Sequence, residues 1–168
     1  MISKEEYASY FEQYIALVSN GKSIIENLKS SQQLFDEVLR NLSEDKHNYV
    51  YAEGKWTLKE LMQHIIDTER IFGYRALCFA RNDSTDLPGF DQDIFVANDN
   101  ANKRDYFEML DEMKTLRKST IQLYESFEDI ALLRIGTASG NKISVRALGY
   151  LFSGHQIHHL NIVKERYL

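Results

Sequence analysis

Two segments in the first half of the chain combine a helix-start signal with apolar residues at helical spacing. Ser23 and Glu26 have the spacing of a capping box, and the apolar positions after them are Leu28, Phe35, Val38 and Leu42. Thr57 and Glu60 repeat the signal, and we expect this second helix to run to about Arg81. The pattern therefore predicts two long amphipathic helices.

Two further helices are predicted in the second half. The third should begin near Asn102, and its apolar positions are Tyr106, Leu110, Met113, Ile121 and Phe127. Ser144 is a suitable N-cap for a fourth, which should reach the C-terminus through Leu148, Leu151, Phe152 and Ile162. Four such helices bury their apolar faces against one another, so the expected fold class is all-α, a four-helix bundle.

The connections between these helices differ in character. A long segment, Asn82 to Ala101, is rich in Asp, Asn, Gly and Pro and exceeds the usual link between antiparallel neighbours. It predicts a crossover loop between parallel helices 2 and 3. The stretch from Asp129 to Ile143 is compatible with a small β-hairpin or with an ordered loop. Because no internal repeat is visible, we expect a single domain over residues 1–168.

The composition suits one folded domain and disfavours several classes of partner. The 168 residues are 43% hydrophobic and 12% aromatic, which is enough to fill one core. Lys and Arg total 20 against 25 Asp and Glu, and the net charge of −5 gives no general attraction to nucleic acid or to an anionic membrane. The acidic N-terminus is unlike a signal peptide and no apolar run has membrane-spanning length, so we expect a cytoplasmic protein.

Three histidines on the predicted helices carry the candidate chemistry. His155 and His159 are about 40° apart around the fourth helix and about 6 Å apart along it, which suits two imidazoles on one ion. Alone, such a pair is more often surface or core packing. His64 lies at a matching depth if the second and fourth helices are antiparallel, roughly 10–14 Å from the same end of the bundle. The three residues together predict a divalent metal site.

Three stretches of the sequence resemble the DinB-like (YfiT-like) superfamily. They are Tyr51 to Arg70, Leu87-Pro88-Gly89-Phe90-Asp91, and Gly154-His155-Gln156-Ile157-His158-His159. They occur in the expected order, and the resemblance covers nearly the whole chain. It implies an up-down-down-up four-helix bundle in which His64, His155 and His159 bind zinc, nickel or a similar ion. It also implies an activity found in that family, either S-transfer from bacillithiol or mycothiol, or metal-dependent hydrolysis.

A site of three neutral imidazoles suits Zn²⁺ or Ni²⁺ and leaves coordination positions open for water or substrate. The metal could make hydroxide from a bound water, or bind a low-molecular-weight thiol as thiolate. The predicted partner is therefore a small-molecule substrate, and the predicted reaction is thiol transfer or hydrolysis. Glu60 and Asp67 lie one helical turn before and after His64 and are the candidate catalytic carboxylates.

Some of these residues have a competing structural interpretation. We favour it for Glu60, as the capping partner of Thr57, and for Asp67, which could orient an imidazole or pair with Arg70. His158 lies about 100° from His159 around the helix, so we expect it to face solvent, a dimer partner or a polar core contact.

The other conspicuous residues are expected to be structural. His47 should lie in a loop. Cys78 is about 21 Å along the helix from His64, too far to share its ion, and should be a packed core thiol. Trp56, Tyr74 and Tyr150 could line a pocket, but aromatic residues at helical spacing are more often part of a core.

Two hypotheses of different class remain. In the first, the protein is a metal-dependent enzyme, because three histidines lack the fourth protein ligand of a closed structural zinc site. In the second, the metal is structural or vestigial and the bundle is a non-catalytic dimerising or binding module. A tyrosine-rich leader could contribute a homodimer interface through Tyr7, Tyr10, Phe11 and Tyr14.

Overall fold

Four long helices form the body of the protein in the computed structural model, which describes residues 2–18 and 21–168. They are α1 (Ile24–Leu39), α2 (Leu58–Ala80), α3 (Tyr106–Glu125) and α4 (Val145–Arg166). Helices α1 and α2 each pack against both α3 and α4, so α1 and α2 occupy opposite corners of the bundle. The predicted all-α four-helix bundle is confirmed.

Side-chain caps begin three of these helices at the predicted residues. Ser23 Oγ accepts a hydrogen bond from Glu26 N, and Glu26 Oε2 accepts one from Ser23 N, at 3.2 and 2.8 Å. Thr57 and Glu60 make the same reciprocal pair at 3.1 and 2.7 Å. Ser144 Oγ accepts from the backbone of α4. Each cap satisfies amide groups that have no partner within the helix, which fixes where the helix starts.

The predicted start of the third helix near Asn102 is wrong. The helix begins at Tyr106, and its N-cap is Asp105, whose carboxylate accepts hydrogen bonds from two backbone amides of the first turn. Asn102 lies instead in a separate 3-10 turn, Ala101–Lys103, where its side chain bonds to Thr57 and Glu60. Phe127 lies beyond the end of α3, since a helix cap at Ser126 follows Glu125.

A β-hairpin precedes α4, so the hairpin alternative for the stretch before this helix is correct and the ordered-loop alternative is not. Strands β1 (Ile135–Ala138) and β2 (Asn141–Ser144) are antiparallel, with Ile135 opposite Ser144. The two-residue turn between them has φ of 53° at Ser139 and 71° at Gly140, as a type I′ turn requires. A short helix, Asp129–Leu132, leads into the hairpin.

The connection between α2 and α3 is more ordered than a simple loop. It contains a seven-residue helix, Gln92–Asn98, besides the 3-10 turn before α3. Leu87 donates a backbone hydrogen bond to Thr137 and accepts one from Ser139, both at 3.0 Å. These bonds attach the connection to the hairpin, so the two loops form one structure at the same end of the bundle. The connection between α1 and α2 likewise contains a short helix, Glu44–His47.

The N-terminal leader, residues 2–18, packs along α4. It consists of 3-10 turns at Lys4–Glu6, Ser9–Phe11 and Ala16–Val18 and a short helix, Glu12–Ile15. Ala8 N donates to Lys142 O in β2 at 3.0 Å. The backbone of Tyr14 lies so close to Gly154 that a Cβ there would collide with the Tyr14 carbonyl. Glycine is therefore required where the leader crosses α4.

Two hydrophobic clusters fill the bundle, one towards the hairpin and one towards the start of α2. The first includes Leu28, Phe72, Phe79, Leu148 and Phe152, and the second includes Phe35, Leu61, Ile65, Leu110 and Leu160. Between them lies a buried polar layer, formed by Ser31, Gln32, Thr68, Glu69, Arg117, Thr120, Ser153, His155 and Gln156. Among the helices of residues 2–18 and 21–168, none has both the length and the apolar character needed to cross a membrane.

Candidate metal centre

Helices α2 and α4 bring three histidine side chains to one point at the polar layer. His64 Nε2 lies 3.2 Å from His155 Nε2, and His159 Nε2 lies 3.1 Å from the same atom. The three nitrogen atoms all lie within 4.8 Å of one another. The four-residue spacing places His155 and His159 on one face of α4, and the Thr57 cap fixes where α2 presents His64.

Aromatic rings enclose the three imidazoles. The ring of Trp56 lies 5.1 Å from that of His64, and Phe72 and Tyr14 lie 5.7 and 5.8 Å from the ring of His155. Burial disfavours the charged form of an imidazole and lowers the pKa of His64 to about 4. Burial, followed by the neighbouring histidines, holds the pKa of His155 and of His159 well below its usual range. All three are therefore neutral at neutral pH, the form that binds a metal.

The geometry of the three nitrogens fits a divalent transition metal. Two nitrogens bound to one tetrahedral ion at about 2.0–2.1 Å lie about 3.3–3.4 Å apart, close to the separations of His155 Nε2 from its two neighbours. A single imidazole nitrogen is either a donor or an acceptor, so His155 Nε2 cannot form a good hydrogen bond with both neighbours. An ion between the rings would satisfy all three lone pairs.

A cavity of about 420 Å³ opens onto the cluster. His64 and His155 lie in its wall, together with Thr68, Phe72 and Arg75. The leader, the connection between α2 and α3, and the hairpin turn close the other sides with Tyr10, Phe11, Tyr14, Gly89, Phe90, Gln92, Ser139 and Asn141. This volume is within the range of small-molecule sites, roughly 300–1,000 Å³.

Glu60 and Asp67 are both engaged away from the histidines. Glu60 caps α2 through Thr57 and accepts a hydrogen bond from Asn102. Asp67 accepts a hydrogen bond from Gln63 at 2.8 Å and lies 3.6 Å from Arg70. Neither lines the cavity, and no other carboxylate among the described residues does. These contacts favour the structural interpretation of both residues.

His47 departs from its predicted loop position. It is the last residue of the helix Glu44–His47 and is buried, with its ring stacked on Tyr106 at 3.6 Å. The stack contributes to the packing between the α1–α2 connection and α3. His158, half-buried, is the other histidine outside the cluster, and its ring meets Tyr14 edge-on at 5.1 Å.

The other residues that were expected to be structural differ in whether they belong to the core. Cys78 is partly buried against the first hydrophobic cluster, as expected of a core thiol. Tyr150 also packs there, and its hydroxyl donates to Lys22 O. Tyr74 is 60% exposed and lies outside the core, in the wall of a separate surface pocket with Ile71 and Phe95, which agrees with the pocket-lining alternative and not with the core one.

Sequence reasoning missed the ion pair that supports the polar layer. Arg117 donates to both carboxylate oxygens of Glu69 at 2.7 and 2.6 Å, and Thr120 donates to the same carboxylate. Both charged side chains are almost completely buried. The partners are 48 residues apart and have no local signal, since each is one polar residue on an amphipathic helix.

The fold and the cluster define a helical bundle in which two helices offer three convergent imidazoles, two of which line a small cavity. A sequence model described as the DinB superfamily matches residues 27–163. The chain therefore belongs to the DinB superfamily, as the resemblance predicted. A comparison with curated proteins gives no significant match.

Two solved structures share the fold. YfiT from Bacillus subtilis, described as a probable metal-dependent hydrolase with an unusual four-helix bundle topology, superposes with a TM-score of 0.73 at 16% identity, over 98% of this chain and 87% of that one. A DinB-like protein, YjoA, from Bacillus subtilis has a TM-score of 0.59 at 22% identity, over 86% and 89%. These similarities show the four-helix bundle fold, and the up-down-down-up order stays a prediction.

Proposed function

We propose that the protein is a metal-dependent hydrolase of a small molecule and that His64, His155 and His159 hold its ion. The observation that carries this proposal is the convergence of three Nε2 atoms at the end of a cavity of about 420 Å³. The description of YfiT as a probable metal-dependent hydrolase supports it. The predicted ion is Zn²⁺ or Ni²⁺, because neutral imidazoles suit both.

Three protein ligands suit catalysis better than a closed structural site, because they leave at least one coordination position for water or substrate. When bound, the ion would act as a Lewis acid and activate water for attack on an ester or amide. The chain's own residues shape the reaction space. Phe72 and Tyr14 shield His155 from bulk water, and the cavity gives a substrate room beside His64 and His155.

Thiol transfer is the alternative reaction that the same open position would allow, with a thiol bound as thiolate. A non-catalytic module would need no open position and no cavity beside the histidines. The small-molecule substrate, the cytoplasmic location and the homodimer stay predictions.

The first experiment is elemental analysis of protein purified without a histidine tag. We expect about one transition metal ion per chain in the wild type, and at least a tenfold loss in His64→Ala and His159→Ala, because each removes one of three ligands. His158→Ala is the matched control and should retain the ion, since its ring contacts Tyr14 at the edge of the cluster. Wild type without metal, even after incubation with Zn²⁺ or Ni²⁺, would overturn the proposal.

A second measurement separates the possible reactions. Metal-loaded protein is assayed for hydrolysis of activated aryl esters and amides, and separately for transfer of a small thiol to an activated aryl chloride. Hydrolysis that requires the ion supports the proposal, and thiol transfer alone would replace it with the transferase alternative. A loaded protein inactive in both assays but strongly stabilised by the ion would indicate a structural metal.

A further inference from the structure

Arg75 is a buried cation without a carboxylate partner. The residue is 5% exposed and lies in the wall of the cavity, as do His64 and His155. Its Nη2 donates to Pro88 O at 3.0 Å and to Ser139 Oγ at 2.9 Å. Within residues 2–18 and 21–168 it forms no ion pair, and burial lowers the pKa of its guanidinium.

The other buried arginine shows what this position lacks. Arg117 is neutralised by both oxygens of Glu69 and also donates to Leu28 O and Ser31 Oγ. Removing a guanidinium from water is unfavourable unless an anion compensates it. Arg75 has two oxygen acceptors and the ring of Phe90 at 6.0 Å from its guanidinium carbon, but no carboxylate, so its charge is available to an anion that enters the cavity.

The hairpin turn is strained in the place where it holds Arg75. Ser139 has φ of 53°, a left-handed conformation that a type I′ turn requires and that Asn, Asp or Gly adopts more readily. Its hydroxyl is nevertheless the one that accepts from Arg75 Nη2. Backbone strain of this kind is typical of functional sites, where an unusual residue is retained for its side chain.

A buried hydroxyl without a hydrogen-bond partner among the described residues lies on α2 between His64 and Arg75. Thr68 is 2% exposed and lines the same cavity, and its hydroxyl has no hydrogen-bond partner among the described residues. His64, Thr68 and Arg75 follow one another on one face of α2. Arg75 is about 16 Å further along the axis than His64 and about 20° around it. All three residues line the same cavity.

We propose that Arg75, with Thr68, binds the carboxylate of an elongated small-molecule substrate whose other end reaches the three histidines. The use of this subsite in a reaction rests on the proposed function, but binding of the anion does not. One guanidinium balances one negative charge, so a monoanionic carboxylate fits better than a phosphate dianion. Phe72, which lies beside His155, suits an apolar section of the ligand, and the ring of Phe90 lies 6.0 Å from the guanidinium carbon of Arg75.

The test compares charged and neutral versions of one set of probes. These are the N-benzoyl derivatives of glycine, 3-aminopropionate, 4-aminobutyrate and 6-aminohexanoate, each with its primary carboxamide. Binding is measured by titration calorimetry on protein as purified and again after chelation of metal. We expect the best carboxylate to bind at least about tenfold more tightly than its carboxamide. Equal affinities, or no binding of either form, would overturn the subsite.

Two variants test whether the preference for the carboxylate over the carboxamide depends on Arg75. Arg75→Gln should reduce it to within about twofold. Ser139→Gly, which removes the hydroxyl but suits the left-handed turn, should fold normally and weaken the preference. Arg81→Gln, an exposed arginine at the end of α2, is the matched control and should retain it. A preference unchanged in both Arg75→Gln and Ser139→Gly would place the anion elsewhere and overturn the proposal.

The two proposals can fail separately. Binding by chelated protein tests the subsite without any metal chemistry. Metal-dependent hydrolysis in a protein that binds the carboxylate and carboxamide probes equally would overturn the subsite alone. Carboxylate binding that depends on Arg75, in a protein that never takes up a metal, would overturn the hydrolase and leave an anion-binding cavity.

Discussion

The polar layer contains one buried ion pair, Arg117 with Glu69, on which we expect the stability of the fold to depend. Arg117 satisfies Glu69 with two charge-assisted hydrogen bonds and donates the rest of its guanidinium to Leu28 and Ser31. A buried ion pair of this kind is tolerated between two hydrophobic clusters because its polar atoms are hydrogen-bonded. Loss of one partner leaves the other as an isolated buried charge.

We therefore predict that Arg117→Met lowers the free energy of unfolding by about 3–5 kcal/mol. The double variant Glu69→Gln/Arg117→Met should lose distinctly less than the single one, because it leaves no unpaired charge. Arg40→Met is the control: Arg40 pairs with Asp36 and Asp111 at the surface, and its loss should change stability by less than about 1 kcal/mol. Urea unfolding measures all three, and equal effects of Arg117→Met and Arg40→Met would contradict the prediction.

The sequence predicted part of the site at this scale. His155 and His159 could be paired because their spacing is local and the geometry of a helix is fixed. His64 could be added because, if its helix is antiparallel to the fourth, counting residues from the shared end of the bundle gives all three histidines a similar depth. Arg75 and Thr68 could not be found, since burial without a partner is a property of the folded surroundings. The same holds for Glu69 with Arg117, whose contact depends on how α2 and α3 pack.

At the scale of elements, local signals explain what was predictable. The starts of α1, α2 and α4 follow from side chains that cap amides within three residues. The start of α3 was misplaced because Asn102 and Asp105 are both good caps, and only tertiary contacts of Asn102 with Thr57 and Glu60 decide between them. The helix Gln92–Asn98 was also missed, since it has no buried residue and hence no apolar period.

The contact of the leader with α4 gives a prediction about two helix glycines. In Gly154→Ala the new methyl group would collide with the carbonyl of Tyr14, so we expect the leader to shift and stability to fall by about 1–3 kcal/mol. Gly73→Ala, in the middle of α2 with open space around it, should instead raise stability by up to about 1 kcal/mol. Thermal melting of the two variants measures both effects, and shifts in the same direction would disprove the assigned contact.

At the scale of the whole molecule, one carboxylate connects the N-terminal leader with the start of α4. Glu6 accepts hydrogen bonds from Ser144 and from Arg146, which is 140 residues away in the sequence. Burial by itself would raise the pKa of Glu6, but the bonds from Arg146, Ser3 and Ser144 outweigh it and lower the pKa below its ordinary value of 4.5. The ionised form therefore stabilises the folded state.

This shift predicts how stability depends on pH. The pKa of Glu6 is lower in the folded state than in the unfolded state. Its contribution to stability is therefore complete above pH 4.5 and is lost as the pH falls through the lower pKa of the folded state. Wild type should be more stable than Glu6→Gln by about 1–2 kcal/mol near neutral pH, and the difference should shrink at about pH 3. Urea midpoints at both pH values give the measurement, with the exposed Glu5→Gln as the control. A difference independent of pH would exclude this role of Glu6.

The position of the cavity's parts along the chain has a consequence for biosynthesis. The leader supplies Tyr10, Phe11 and Tyr14 to the cavity wall, while His155 in the same wall belongs to α4. Because synthesis runs from the N-terminus, Tyr14 leaves the ribosome before the helix against which it packs, and His64 leaves it before His155 and His159. The cavity and the three-histidine cluster can therefore form only once α4 has been synthesised and has packed against the leader and α2.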